Sequence, residues 1–134
     1  MLSLLIALAF AAPASPVEAR GLWKTPSGGH IRLAPCGADI CGSVVTSPHL
    51  RENPEQNDAL NANPSLRSRK IKGLRTLQVS PTGAGEWNKG WVYNPEDGKT
   101  YKAELKLLGG GKLKMTGCIA KPLCQSQTWT RIGD

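Results

Sequence analysis

Histidine is scarce in this sequence, and neither of the two histidines lies in a catalytic motif. His30 follows two glycines and His49 follows a proline, and no serine, cysteine or carboxylate stands at motif spacing from either one. The sequence also lacks a Walker loop, a dinucleotide-binding glycine fingerprint and a His-x-x-x-His pair. We therefore predict a protein that is not an enzyme and that uses no cofactor and no metal ion.

Acidic residues are also few. Ten Asp and Glu stand against 17 Lys and Arg, so the formal net charge is +7 and the long-range field favours anionic partners or surfaces. The densest basic segment consists of Arg67, Arg69, Lys70, Lys72 and Arg75, with no aromatic residue between them. Because such a segment is a poor platform for single-stranded nucleic acid, we predict no nucleic-acid partner.

No apolar run is long enough to cross a bilayer. Leu2–Ala12 is apolar with one exception and has about the length of a signal-peptide core. Val17-Glu18-Ala19 then places small or branched residues at positions −3 and −1 of a cut before Arg20. We predict a signal peptide at residues 1–19, one mature domain at residues 20–134, a periplasmic or secreted location, and no integral membrane segment after cleavage.

Four cysteines follow this leader, and an even number in an exported chain favours disulfides over thiols. Cys36 and Cys41 flank a turn-like segment, and Cys118 and Cys124 flank a segment that contains a proline. We predict the local pairs Cys36–Cys41 and Cys118–Cys124. Pairing between the two segments is the alternative, and a four-thiolate zinc site is a poorer one because its usual cysteine spacings differ.

Glycine and proline, by contrast, are abundant, with 15 and 10 residues. So many turn-forming residues disfavour a bundle of long helices and favour short strands. A long polar connection at residues 48–72 interrupts the strands, and we predict helical turns in it around Glu55–Leu60 and Pro64–Arg69. The predicted strands are residues 21–25, 30–36, 41–47, 74–80, 86–94, 100–108, 112–119 and 125–132.

Apolar and polar side chains alternate along the later strands. Tyr101, Ala103 and Leu105 fall on one face of their strand, and Lys102 and Glu104 fall on the other. Eight antiparallel strands with one wet face either close into a barrel or pack as a sandwich. We predict an all-β fold, a small antiparallel up-and-down barrel of about eight strands with one long, partly helical loop.

The two ends of the predicted domain carry matching motifs. Gly21-Leu22-Trp23 opens the domain and Trp129-Thr130-Arg131 closes it. This pair resembles the calycin arrangement, in which an arginine of the last strand covers the tryptophan of a Gly-x-Trp motif on the first. We predict that Trp23 and Arg131 stack and close one end of the barrel.

A wider pattern resembles one family. Its elements are Pro35-Cys36-Gly37 with Cys41-Gly42, Asp58-x-x-Asn61, Pro64-x-Leu66-Arg67-x-Arg69, Gly73-Leu74, Trp87-x-x-Gly90-x-Val92-Tyr93-Asn94-Pro95-Glu96-Asp97-Gly98-Lys99-x-Tyr101, and Gln127-Thr128-Trp129-Thr130-Arg131. The pattern covers essentially all of residues 20–134 and resembles the secreted bacterial family named domain of unknown function 2147. The resemblance implies a lipocalin-like barrel and supplies no established activity. Cys118 and Cys124 depart from the family pattern, so we interpret that pair as an added staple.

The remaining candidate site combines polar residues of the long connection with aromatic residues of the following strands. Its members are Asp58, Asn61, Arg67, Arg69, Trp87, Trp91 and Tyr93. If the connection folds over the barrel mouth, Arg67 or Arg69 meets an anionic head group and the aromatic side chains line an apolar cavity. In the alternative interpretation, Asp58 pairs with one of these arginines and Asn61 caps the loop, so that the cluster only fixes the loop.

Two functions fit these features. The first is an exported small barrel that binds a small apolar or amphipathic anionic ligand. The second is an interaction protein, such as an envelope-stress factor or an enzyme inhibitor, that acts through its loops and whose barrel is filled with side chains. The barrel interior discriminates between them, because an empty apolar interior favours ligand binding and a packed one favours the interaction protein.

Overall fold

The protein is an eight-stranded antiparallel barrel. The computed structural model describes residues 16–120 and 122–134, so the predicted signal-peptide core lies outside the described residues. Each strand pairs with its neighbours in sequence, and the first strand pairs with the last, which closes the sheet. This confirms the predicted fold. The strands are β1 (Gly21–Lys24), β2 (His30–Cys36), β3 (Asp39–Thr46), β4 (Arg75–Gly83), β5 (Glu86–Asn94), β6 (Lys99–Gly109), β7 (Lys112–Ala120) and β8 (Leu123–Gly133).

The hydrophobic core fills one end of the barrel. Within β7, Leu113 is fully buried in this core, whereas Met115 only packs against it and Ile119 is 70% exposed. The alternation of apolar and polar residues along the strands places the apolar side chains in the interior of the barrel. The buried members of the core are Ala19, Trp23, Leu33, Ile40, Leu77, Val79, Trp87, Ala103, Leu105, Leu113 and Trp129.

The packed end is closed by the contact that the terminal motifs predict. Trp23 on β1 lies opposite Arg131 on β8, and the guanidinium carbon lies 4.5 Å from the centre of the indole ring. Gly21 is required beside this contact, because its φ is +148° and a Cβ would lie 2.8 Å from Nη1 of Arg131. The glycine two residues before Trp23 therefore leaves the space that the guanidinium of Arg131 occupies.

A short helix, α1 (Pro16–Ala19), completes this end. Ala19 is fully buried, and its carbonyl oxygen accepts a hydrogen bond of 2.9 Å from Nε1 of Trp23. Arg131 donates from Nη2 to the carbonyl oxygen of Glu18 at 2.9 Å and from Nη1 to that of Arg20. The chain just before β1 is thus part of the closure, and the predicted cut before Arg20 stays a prediction.

Two disulfides each close one hairpin. Cys36 pairs with Cys41 between β2 and β3, and Cys118 pairs with Cys124 between β7 and β8. These are the local pairs that the sequence predicts. Because no cysteine is free, the alternative of a four-thiolate zinc site does not apply.

The long connection begins with a helix where the sequence analysis predicted none. Helix α2 (Pro48–Glu52) starts at Ser47, whose Oγ accepts a hydrogen bond of 3.1 Å from the amide of Leu50, and a proline occupies its first turn. The helical turn predicted around Glu55–Leu60 is wrong, since that segment forms turns and pairs with the chain opposite through a bridge between Asn57 and Lys70. A 3-10 turn at Pro64–Leu66 lies within the second predicted helical segment.

Candidate functional site

The end of the barrel opposite the packed core contains a cavity of about 880 Å³. Its apolar wall is built by inward-facing side chains of several strands and by the long connection. This volume lies within the range of roughly 300–1,000 Å³ that small-molecule sites occupy. The barrel is therefore neither wholly hollow nor wholly filled. The apolar wall includes Ile31, Val44, Leu50, Ile71, Val92, Met115 and Trp129.

Polar side chains also line the cavity. Trp129 lies between the core and the cavity, and its Nε1 donates to Oε1 of Gln127 at 3.1 Å. Gln125, Thr25 and Thr46 also line the cavity. Hydrogen-bonding groups beside an apolar wall are typical of sites that orient a small ligand.

The charged groups of the cavity lie at its mouth and are mainly acidic. Glu96 and Asp97 belong to the turn between β5 and β6, and no lysine or arginine lines the cavity in the described part of the chain. Asp97 accepts a hydrogen bond of 2.9 Å from the amide of Lys99 and another from the hydroxyl of Tyr101. The second bond raises the pKa of Tyr101 above the ordinary value, at which a phenol is already uncharged at neutral pH. A ligand in the cavity therefore meets neutral and acidic groups.

The long connection borders the mouth, as the sequence analysis anticipated. Gln56, Asn57, Ala59 and Leu60 line the cavity. The connection also packs tightly against the β5–β6 turn, because a Cβ on Gly98 would overlap the carbonyl oxygen of Leu60. The position of this segment is consequently fixed by close backbone contact as well as by side chains.

Asp58 is the centre of a buried polar network in this connection. Its side chain is fully buried and accepts three hydrogen bonds, from Tyr93 Oη at 2.5 Å, from Asn61 Nδ2 at 3.0 Å and from Arg69 Nε at 2.9 Å. The guanidinium of Arg69 also lies 5.4 Å from the centre of the Tyr93 ring. Three donors on one buried carboxylate satisfy a group that would otherwise be costly to bury.

The network sets the protonation of its members. Burial alone would raise the pKa of Asp58, but the hydrogen bonds from Tyr93, Asn61 and Arg69 outweigh it, and the pKa lies below its ordinary value. Burial, followed by the hydrogen bond and charge of Asp58, raises the pKa of Tyr93. At neutral pH the pair is therefore a carboxylate and a protonated phenol.

Arg67 and Arg69 both have partners within the connection. Arg69 binds Asp58, and Arg67 donates from Nε to the carbonyl oxygen of Asn61 at 2.8 Å. Neither arginine is among the described residues that line the cavity. These contacts correspond to the structural interpretation of the cluster, in which it holds the loop on the barrel, and anion binding by Arg67 or Arg69 stays a prediction.

The three aromatic candidates separate because β5 carries a bulge. The register between β5 and β6 shifts between Trp87 and Gly90, where Lys89 has a φ of +55°. A shift of one residue turns the following side chains to the opposite face. The bulge therefore leaves Trp87 in the core and turns Trp91 and Tyr93 to the outer face. On that face Trp91 lies opposite Lys102, whereas Tyr93 is buried beneath the connection.

Sequence reasoning missed most cavity residues. Met115, Gln127 and Trp129 occupy inward positions on their strands, and the same alternation that predicted the buried face would have marked them. The described residues contain no group of three His, Cys, Asp or Glu side chains placed to hold a metal ion. Within the same residues, no helix has the length and apolar character needed to cross a membrane.

Comparison with known proteins identifies the family and the fold of the chain. The bacterial family described as "Uncharacterized protein conserved in bacteria (DUF2147)" matches residues 21–131. A solved structure described as "Protein HP1028 from the human pathogen Helicobacter pylori belongs to the lipocalin family" is similar with a TM-score of 0.77 and 24% identity, over 86% of this chain and 83% of that chain. At that identity the likeness concerns the fold. No curated protein matches. The chain therefore belongs to the bacterial DUF2147 family and folds as a lipocalin-like barrel.

Proposed function

We propose that this protein binds a small apolar or amphipathic ligand in the cavity of its barrel. The cavity of about 880 Å³ carries the proposal, because its walls are largely apolar and its opposite end is sealed by a packed core. Barrels of this architecture take up ligands through the open end. The likeness to a protein described as a lipocalin supports the same role.

The alternative is a protein that acts through its loops and has a filled barrel. The packed core at one end fits that alternative, but the cavity at the other end has no part in it. The acidic mouth and the absence of lysine and arginine from the described cavity lining favour a ligand whose enclosed part is uncharged. Such a role requires no catalytic group.

We further propose that the protein acts outside the cytoplasm. Two disulfides within one small domain are typical of oxidising compartments. The apolar Leu2–Ala12 segment supports export by a signal peptide.

Cavity filling tests the binding role. Gly117 lines the cavity, and a Cβ there would lie 3.6 Å from side-chain atoms of Tyr101 and Val92, which is ordinary contact. Gly117→Leu therefore places a side chain in the cavity without backbone strain. The neighbouring Thr116, on the outer face of the same strand, bonds Ser126 across the sheet, and Thr116→Leu adds a bulky apolar side chain outside the barrel.

The measurement is calorimetric titration with dodecanol. We expect saturable one-to-one binding to the wild-type protein, and a loss of about tenfold or more in affinity for Gly117→Leu, with Thr116→Leu close to wild type. Circular dichroism establishes that both variants fold. Absence of saturable binding by the wild type, or equal affinity in Gly117→Leu, would reject the proposed function.

A further inference from the structure

A second concave surface lies outside the barrel, next to the mouth. This outer groove has a volume of about 630 Å³ and runs between the long connection and strands β5 and β6. Cationic and aromatic side chains dominate its polar lining, and no acidic side chain lines it among the described residues. Its principal members are Arg69, Arg75, Trp91, Tyr93, Lys99 and Tyr101.

Two of the three cations in the outer groove are available to a ligand. Arg69 is held by Asp58, and its charge is largely balanced by that carboxylate. Arg75 and Lys99 are exposed, and neither side chain makes an ion pair or a hydrogen bond with another described residue. A planar guanidinium matches the oxygen pair of a carboxylate or phosphate, and a lysine adds a mobile positive charge.

The cavity and the outer groove have opposite electrostatic character. The mouth of the cavity carries Glu96 and Asp97, whereas the groove carries Arg75 and Lys99. A negatively charged group is therefore disfavoured at the cavity mouth and favoured in the groove. Besides Arg69, the groove therefore contains two cations that the sequence analysis did not select, one on β4 and one on β6.

The two concave surfaces adjoin each other. Tyr93, Tyr101 and Ile119 line both of them. Ile119 is 70% exposed, and nearby Leu123, which lines the cavity, is 66% exposed, so the rim between the surfaces is apolar. An aliphatic chain that leaves the cavity over this rim remains on apolar surface until its end reaches the cations.

We infer that the outer groove is a head-group subsite, in which Arg75 and Lys99 bind the carboxylate or phosphate of an amphiphile whose apolar chain occupies the cavity. This inference rests on the proposed function, since it assigns the charged end of the same ligand. It makes the groove a determinant of specificity, because uncharged and cationic amphiphiles use the cavity alone.

Probes with one chain and different heads test the subsite. The set consists of dodecanol, dodecanoate, dodecyl phosphate and dodecyltrimethylammonium. Dodecanol is titrated calorimetrically below its solubility limit, and the charged probes below their critical micelle concentrations. We expect dodecanoate or dodecyl phosphate to bind the wild type about five- to tenfold more tightly than dodecanol, and the cationic probe to bind no better than dodecanol. The ranking of the two anions tells whether the subsite prefers a carboxylate or a phosphate.

Matched variants locate the preference. In the double variant Arg75→Ala/Lys99→Ala, the anionic probes should fall to the affinity of dodecanol, and dodecanol should bind as it does to the wild type. Lys102→Ala/Lys114→Ala removes the same charge from exposed positions that do not line the groove, and it should retain the preference for anions. The preference in the wild type should also weaken with added salt.

The outcomes separate this inference from the proposed function. If dodecanol does not bind the wild type, the cavity proposal fails. If dodecanol binds but the anionic probes bind no more tightly, the subsite is rejected and the cavity proposal stands. An equal loss of preference in both double variants would mean that the net charge of the protein, and not the groove, attracts the anions, which would also reject the subsite.

Discussion

Arg131 offers the sharpest test of how the closed end of the barrel is held. Its guanidinium lies 4.5 Å from the centre of the Trp23 ring and donates to the carbonyl oxygens of Glu18 and Arg20. Substitution Arg131→Ala removes all of these contacts and uncovers one face of a fully buried indole. The fold itself should persist, because the strand pairing of β8 does not depend on this side chain.

The magnitude follows from the separate contacts. A partly desolvated cation–π contact contributes about 1–2 kcal/mol, and the two hydrogen bonds, which lie near solvent, add about 1 kcal/mol together after allowance for competing water. The free energy of unfolding should therefore fall by about 2–3 kcal/mol. For a domain of this size, that change lowers the melting temperature by roughly 10 °C.

Three further variants, measured by thermal and urea unfolding, separate the contributions of ring stacking, charge and hydrogen bonding. Arg32 donates to the backbone oxygen of Asp134 at 2.9 Å and stacks on no ring among the described residues, so Arg32→Ala is the matched control and should cost less than about 1 kcal/mol. Arg131→Lys keeps the charge but loses the planar group. Trp23→Phe, combined with Arg131→Ala in a double-mutant cycle, isolates the pairwise energy. Equal melting temperatures for Arg131→Ala and Arg32→Ala would refute the reasoning.

Four further predictions concern the loop network, the first strand and the cystines. The pKa of Asp58 is lower in the folded protein than in the unfolded chain, so its contribution to stability is present above about pH 4 and is lost as pH falls through the folded pKa. In Asp58→Asn, the free energy of unfolding should therefore fall less steeply as the pH is lowered below about 4. The pKa of Tyr93 is raised, so its contribution is present below about pH 10 and lost above it, and Tyr93→Phe should flatten the alkaline limb. Gly21→Ala should destabilise the domain by at least about 1 kcal/mol through strain at φ +148° and crowding of Arg131, measured by urea unfolding. Non-reducing peptide mapping should recover Cys36–Cys41 and Cys118–Cys124 only, and any peptide that joins the two hairpins would contradict the pairing.

The fold was predictable because local patterns and global closure agree. Hairpin turns, alternation of apolar side chains and the terminal Gly-x-Trp and Arg motifs all indicate an up-and-down barrel, and the structure has each of these features. The prediction of a helical turn at Glu55–Leu60 is wrong for a local reason. The start signal at Ser47 and Pro48 acts earlier, and Asn53 and Pro54 then end the helix.

The candidate site was predictable only in part. The family pattern marks four residues that the structure brings together, which are Asp58, Asn61, Arg69 and Tyr93. Sequence spacing does not reveal that each of them binds another residue of the protein. With an unbroken period of two along β5, Trp87, Trp91 and Tyr93 would all face the same side of the sheet. The bulge near Lys89 breaks that period, and a bulge of this kind depends on the partner strand as much as on its own sequence.

The contacts at the closed end of the barrel also affect the expected position of the signal-peptide cut. A cut before Arg20 would remove Ala19, whose carbonyl oxygen accepts the indole N–H of Trp23, and Glu18, whose carbonyl oxygen accepts from Arg131. It would also leave the new α-ammonium group of Arg20 close to the guanidinium of Arg131. Both effects weaken the closure, because a buried donor loses its acceptor and two positive charges approach each other.

If the chain is exported and cleaved, we therefore expect the mature protein to retain Glu18 and Ala19. Ala12-Pro13-Ala14 offers small residues at positions −3 and −1 of an earlier cut, before Ser15. N-terminal sequencing of protein recovered from a periplasmic extract distinguishes a start at Ser15 from a start at Arg20. A start at Arg20 would contradict this expectation, and it would also predict a smaller loss of stability for Arg131→Ala, since the hydrogen bond to Glu18 would then be absent from both proteins compared.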